Sequence, residues 1–196
     1  MFIAKFFMNQ TVYGIIIIYY IINKINQKMN LNKGWSIREI KKEDNNKIRN
    51  ILQLVMTEFK VPSKGTALSD PEIFDMYSAY MDHRSIYYVL EKNNKIYGGA
   101  GLSKLKNSNQ NICELQKMYF MKDARGLGMG NEMIIKCLNK AIDFGFKSCY
   151  IETMYNMIDA QKLYLSHGFI YIDNPIGNTG HSSCPVWMLK KLYDIN

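Results

Sequence analysis

None of the four cysteines in this chain, Cys113, Cys137, Cys149 and Cys184, stands in C-x-x-C spacing with another. That absence excludes zinc-ribbon and thioredoxin-like motifs, and thiols set within apolar stretches read as buried and reduced, as in a cytoplasm. His181-x-x-Cys184 offers half a metal site with no second half, so no metal is expected. Also missing is any run of clustered arginine and lysine interleaved with aromatics, so the net charge of +8 does not point to nucleic acid. Lys5, Lys24 and Lys28 supply three of those charges, and the rest of the surplus suits a polyanionic ligand as well as a membrane surface. No internal repeat is evident. Nearly half the residues, 47%, are apolar, which argues for a folded core over bulk disorder.

Residues 1 to 28 differ in character from the rest of the chain. Phe6 to Ile22 carries no charge, yet the stretch is at the lower limit for crossing a bilayer, and Asn9, Gln10, Thr11 and Gly14 weaken it further. A small-residue cleavage site is lacking, and lysines flank both ends without setting an orientation. The segment is open to three readings: sequence ahead of a true start at Met29 or a tail, a membrane-associated segment, and a helix packing on the domain. The domain itself is expected over residues 35–192.

Within it, Trp35 to Ile40 reads as a strand. Ile48, Ile51, Leu52, Val55, Met56 and Phe59 recur at helical spacing from about Asp44. Pro62 and Gly65 mark a loop. Asp70 and Pro71 read as cap and first residue of a second helix reaching Tyr80. Ser85–Glu91 and Ile96–Leu105 form a hairpin. Ile112 to Phe120 is a strand, Ile134, Ile135, Leu138, Ala141 and Ile142 mark a long helix, and a strand over Ser148–Thr153, a helix and a final strand pair come after it.

Between strand and long helix lies Arg125-Gly126-Leu127-Gly128-Met129-Gly130. Three glycines in five residues let main-chain N–H groups approach a ligand, and a helix N-terminus there favours an anion. A dinucleotide fingerprint would need glycine where Asn131 or Met133 stands, and no Lys-Ser or Lys-Thr completes a P-loop. What fits is R-x-x-G-x-G. Downstream, Asn156, Ala160, Leu163 and Tyr164 precede Gly168-Phe169.

These two segments, in this order, resemble the signatures of the GCN5-related N-acetyltransferases (GNAT family). The asparagine sits one residue further upstream than the commonest spacing. The resemblance implies an α/β fold, a mixed, mostly antiparallel twisted sheet of about seven strands flanked by about four helices. It implies acetyl transfer from acetyl-CoA to a primary amine of a small molecule or protein, by direct attack in a ternary complex. An acetyl-CoA-binding sensor that catalyses little is the alternative. By the same resemblance, Arg125 to Gly130 would take the pyrophosphate, and Met118, Tyr119 and Phe120 would pair with the pantetheine arm. Asn156 would reach the pantetheine amides, and Tyr164 would be the general acid. Glu114 is a candidate general base acting through water, since an ammonium acceptor must lose a proton. Strand alternation places Glu114 with Gln116 and Met118, unless a bulge resets the parity. His181 is a candidate for substrate contact or an alternative base, and Glu58 is a candidate to face the acceptor. Homodimerisation is also left open.

Overall fold

The computed structural model describes residues 34–108 and 110–193, with Ile18 isolated from them. The readings made for residues 1 to 28 lie outside the described residues. Among those described, no helix is long and apolar enough to cross a membrane.

Strand β1 (Trp35–Glu39) leads through a short 3-10 turn to helix α1 (Asn45–Glu58). Ile48, Ile51, Leu52, Val55 and Met56 are its buried stripe, as their spacing requires. At the β1–α1 junction, burial pushes the Asp44 carboxyl up. A 2.6 Å ion pair with Arg38 and an N–H from Lys41 outweigh that effect, and its pKa ends below the ordinary value.

The second helix does not run unbroken from Asp70 to Tyr80. A 3-10 turn over Pro71–Phe74 breaks at Asp75, and only Met76–Ala79 forms a one-turn helix, α2. Asp75, not Asp70, supplies the cap, accepting from the Ser78 N–H at 3.1 Å. Asn45 pins the break by donating to Asp75 and accepting from the Tyr77 N–H, each at 2.7 Å. The Asp70 side chain makes no cap bond because Lys117 and His181 draw it away.

Strands β2 (Ile86–Lys92), β3 (Lys95–Lys104), β4 (Ile112–Phe120), β5 (Ser148–Thr153), β6 (Ile170–Ile172) and β7 (Val186–Lys191) complete a seven-stranded sheet of order β1-β2-β3-β4-β5-β7-β6. Only β4 and β5 run parallel; the other neighbours are antiparallel. Helix α3 (Met129–Asp143) crosses between them and α4 (Ile158–Ser166) follows β5. The expected fold class and element order are found.

The sheet is covered on both faces. Tyr88, Leu90, Cys113 and Leu115 pack toward α3, while Tyr87 and Val89 pack toward α1. The core face of α3 is turned from the one expected. Met129, Met133, Ile134, Cys137, Leu138 and Ala141 are buried, while Ile135 and Ile142 are exposed, so methionine and cysteine share the stripe with the aliphatic residues. All four cysteines are free and buried.

Two irregularities in β4 shape the site. Between Gln116 and Tyr119 the strand carries one residue more than β3 has between Gly99 and Gly101, and Lys117 takes up the excess at φ +50°. This bulge resets the side-chain parity. Glu114 and Gln116 share a face with Tyr119, whereas Met118 and Phe120 join the opposite core, so Met118 does not lie with Glu114. In addition, β4 pairs with β5 only from Ile112 to Glu114. Beyond that point the strands part, and among the described residues the β5-facing edge of β4 has no ladder partner toward Phe120.

Candidate active site

The parted strands open a cleft of about 420 Å³. Its wall on the β4 side is Met118, Tyr119 and Phe120; its floor is Gly126 and Gly130; its far wall is Asn156, Ala160, Leu163 and Tyr164. That size is within the range of small-ligand sites. Gly128 sits at the N-cap of α3 with φ +83°, a left-handed conformation that costs little only for glycine. Among the described residues no side chain caps this helix start, so its first-turn N–H groups face the loop. At Gly130 a Cβ would stand 3.2 Å from Leu163 Cδ2 and 3.8 Å from Met118 Cε, which is why the floor is bare there. Leu127 and Met129 turn their side chains to the core and leave only main chain for a ligand.

Arg125 lines the cleft, but its charge is already engaged. Its guanidinium makes two parallel bonds to the Glu58 carboxylate, 2.7 and 2.6 Å, while Nε donates to the Phe120 carbonyl at 2.7 Å and the group lies over the Phe59 ring. Arg125 holds the Glu58 carboxyl below its ordinary pKa. Glu58, expected to face the acceptor, is thus a partner of the glycine loop. Asn156 Nδ2 likewise donates to the Phe59 carbonyl at 2.7 Å. The last turn of α1 therefore holds both polar side chains expected to contact the cofactor.

Tyr164, on α4, is 5% exposed and its hydroxyl has no hydrogen bond among the described residues. Burial pushes its phenol above the ordinary range, with the nearby Cys149 and Cys137 adding to the shift. It stays a neutral donor at any working pH.

Tyr119 also borders a second, smaller cavity of about 30 Å³, lined by Glu114, Gln116, Lys117, Glu152, Thr66 and His181 among others. Here the bulge matters: it sends Lys117 inward, where its ammonium is 2.7 Å from Asp70 and 3.4 Å from Glu72. His181 Nε2 faces the Asp70 oxygens at 3.1 and 3.2 Å, and Nδ1 faces Glu152 at 3.5 Å. Burial opposes a charge on this ring, but the two carboxylates outweigh it and raise the pKa to about 9. His181 is therefore a cation at neutral pH and has no free nitrogen to act as a base. Asp70 responds in the opposite sense: burial raises it, His181 and Lys117 overcome that, and it falls to about 2.

Glu114 is 2% exposed. Burial, with Glu152 adding like charge, lifts its carboxyl to about 7 against a 2.6 Å bond from Gln116 Nε2 and the pull of His181 and Lys117. Gln116 is in turn fixed by Tyr80, whose hydroxyl donates to Oε1 at 2.9 Å. Lys117 and Glu152 were not singled out from sequence, and Asp70 only as a helix cap. Glu152 carried a signal, the one charged residue of its strand; Lys117 carried none, because only the bulge brings it inside.

The protein-family model for the acetyltransferase (GNAT) family matches residues 48–169. An uncharacterised N-acetyltransferase of Escherichia coli, YjgM, is 36% identical over 157 residues, covering 80% of this chain and 94% of that protein. Among solved structures, a GNAT-family acetyltransferase of Staphylococcus aureus superposes with a TM-score of 0.72 at 19% identity, over 81% of this chain and 99% of the other. YncA of Salmonella typhimurium, solved with its cofactor acetyl-CoA, gives 0.67 at 16% identity over 84% and 96%. With the family model spanning most of the sheet and both glycine-loop and α4 segments, this chain belongs to the GNAT family of acetyltransferases.

Proposed function

We propose that the chain moves an acetyl group from acetyl-CoA to a primary amine by direct attack within a ternary complex. One observation carries the reading: the 420 Å³ cleft with Tyr164 on its wall adjoins, through Tyr119, a cavity holding a buried carboxyl with a pKa of about 7. The residues present fit the donor. Left-handed Gly128 and bare Gly130 leave the α3 N–H groups open to a diphosphate, and the unpaired edge of β4 is available to an extended amide-bearing arm. Arg125 and Asn156 would serve it by exchanging their bonds to the last turn of α1.

Bound acetyl-CoA supplies the acetyl group as a thioester, an acyl bonded to a good leaving group. The chain's own contribution is proton management. Glu114, half ionised near neutrality, takes a proton from the acceptor ammonium through water, for which a 30 Å³ cavity has room. The freed amine bonds to the carbonyl carbon as the carbon–sulfur bond breaks, and the proton then surplus on the new amide nitrogen passes to the departing thiolate, giving the free thiol. Tyr164 donates a hydrogen bond to the departing sulfur. Because a thiol is more acidic than this phenol, the thiolate leaves without complete proton transfer.

The test is thiol release from acetyl-CoA across amino acids, polyamines, aminoglycosides and peptide amino termini. Amine-dependent release matched by N-acetylated product is expected for one class. Tight acetyl-CoA binding with no amine-dependent release from any class would overturn the transferase reading in favour of a sensor.

A further inference from the structure

Glu114 does not stand alone in its cavity. Its carboxyl, that of Glu152 and the His181 ring bring their oxygen and nitrogen atoms within 4.8 Å of one another. The three come from separate parts of the chain: β4, β5 and the loop before β7. Each neighbour is itself held. Glu152 accepts from the Tyr150 hydroxyl at 2.8 Å and from Thr179 at 2.7 Å, and its side chain is 5% exposed. His181 is clamped from the other side by Asp70, which Lys117 also engages. Fixed charges of opposite sign therefore face one titrating carboxyl, in a place where water screens them little.

We propose that Glu152 and His181 are positioning residues that act through Glu114: the anion of Glu152 favours its protonated form and the imidazolium of His181 favours its ionised form, so that together they adjust, on top of burial and the Gln116 bond, when Glu114 becomes a base. Among the other groups around it, Lys117 acts in the same sense as His181 but more weakly. Lys117, on β4 itself, is committed to Asp70 and Glu72, and Glu72 is further paired with Lys106 at 2.6 Å. Tyr80 just after α2, Tyr150 from β5 and Cys184 from the loop before β7 are all held above their ordinary pKa values by burial and remain neutral across the relevant range. His181 also links the loop bearing Asp70 to the loop before β7, so the device that tunes Glu114 is the one that closes the two loops over it.

The inference rests on Glu114 as the base, and the test separates the two. Carboxyl carbon NMR of the full chain, with the Glu114 signal assigned by its loss in Glu114→Gln, gives its titration midpoint in the absence of any acceptor. Expected is a midpoint near 7 in the native chain, moved upward by His181→Gln and downward by Glu152→Gln, each on the order of one pH unit. Opposite displacements from two substitutions in one cluster are not what simple loosening produces. If His181→Gln fails to fold, the downward displacement in Glu152→Gln still decides. Midpoints that stay in place, or move the same way in both variants, overturn the proposal. Should they move as expected while Glu114→Gln keeps full amine-dependent thiol release and an unaltered pH profile, the tuning stands and the assignment of the base falls.

Discussion

At the scale of single residues, burial acts on Tyr164 and Glu114 in opposite functional directions. It makes the tyrosine a poorer acid, so its contribution is a hydrogen bond to the leaving sulfur and not a full proton. Tyr164→Phe is accordingly expected to lower turnover by about 100-fold, with acetyl-CoA affinity unchanged in a binding titration. Full turnover in that variant would remove Tyr164 from the chemistry. The same burial turns a surface-type carboxylate into a base poised near neutrality at Glu114. Glu58 belongs to neither role. Its hold on Arg125 competes with an anionic ligand, so Glu58→Gln is expected to strengthen acetyl-CoA binding about two- to fivefold, the size of an exposed ion pair. Unchanged or weaker binding, read by calorimetry, would show that Arg125 plays no part in holding the donor. The Asp44–Arg38 pair is structural: Asp44 is 1% exposed, and Asp44→Ala is expected to cost roughly 2 kcal/mol in a denaturant titration by removing the acceptor of the Lys41 N–H and one of the two carboxylates that Arg38 engages, Glu91 being the other.

At the scale of elements, the glycine loop was legible because its chemistry is in the main chain. Arg125 to Gly130 announces a turn with left-handed positions followed by a helix, and Gly126 and Gly128 adopt them. The helix face of α3 was legible only in part: Ile134, Leu138 and Ala141 are inside, but the weight given to Ile135 and Ile142 over Met133 and Cys137 rotated the stripe. The region from Asp70 to Tyr80 shows why local rules fail at a site. Asp-Pro is a sound helix start, yet the attraction of Lys117 and His181 for Asp70 exceeds what one cap bond offers, and the helix breaks at Asp75 instead. Residues that far apart in sequence give no local signal. Lys117 is the sharpest case, since one extra residue in β4 decides whether that ammonium meets water or a buried carboxylate.

For the whole molecule, the ion pairs that close the acid-lined cavity make stability depend on pH. The folded pKa of His181, about 9, lies above the ordinary 6.5. Its contribution is therefore fully present below pH 6.5 and is lost as pH rises through about 9. The native chain should lose its advantage over His181→Gln across that window, on the order of 2 kcal/mol or about 5 °C in Tm. Parallel melting curves for the two chains between pH 6 and 10 check this; a gap that does not narrow contradicts an imidazolium held by Asp70 and Glu152. The broader account, a chain folded around a cleft that grips the diphosphate of its acetyl donor with the amides of α3, has a more direct test. Calorimetric titration of the native chain with acetyl-CoA and with S-acetylpantetheine, which lacks the diphosphate, compares the two ligands at constant reacting group. Two or more charge-assisted hydrogen bonds should make acetyl-CoA at least about 100-fold the tighter. Equal affinities would contradict the account.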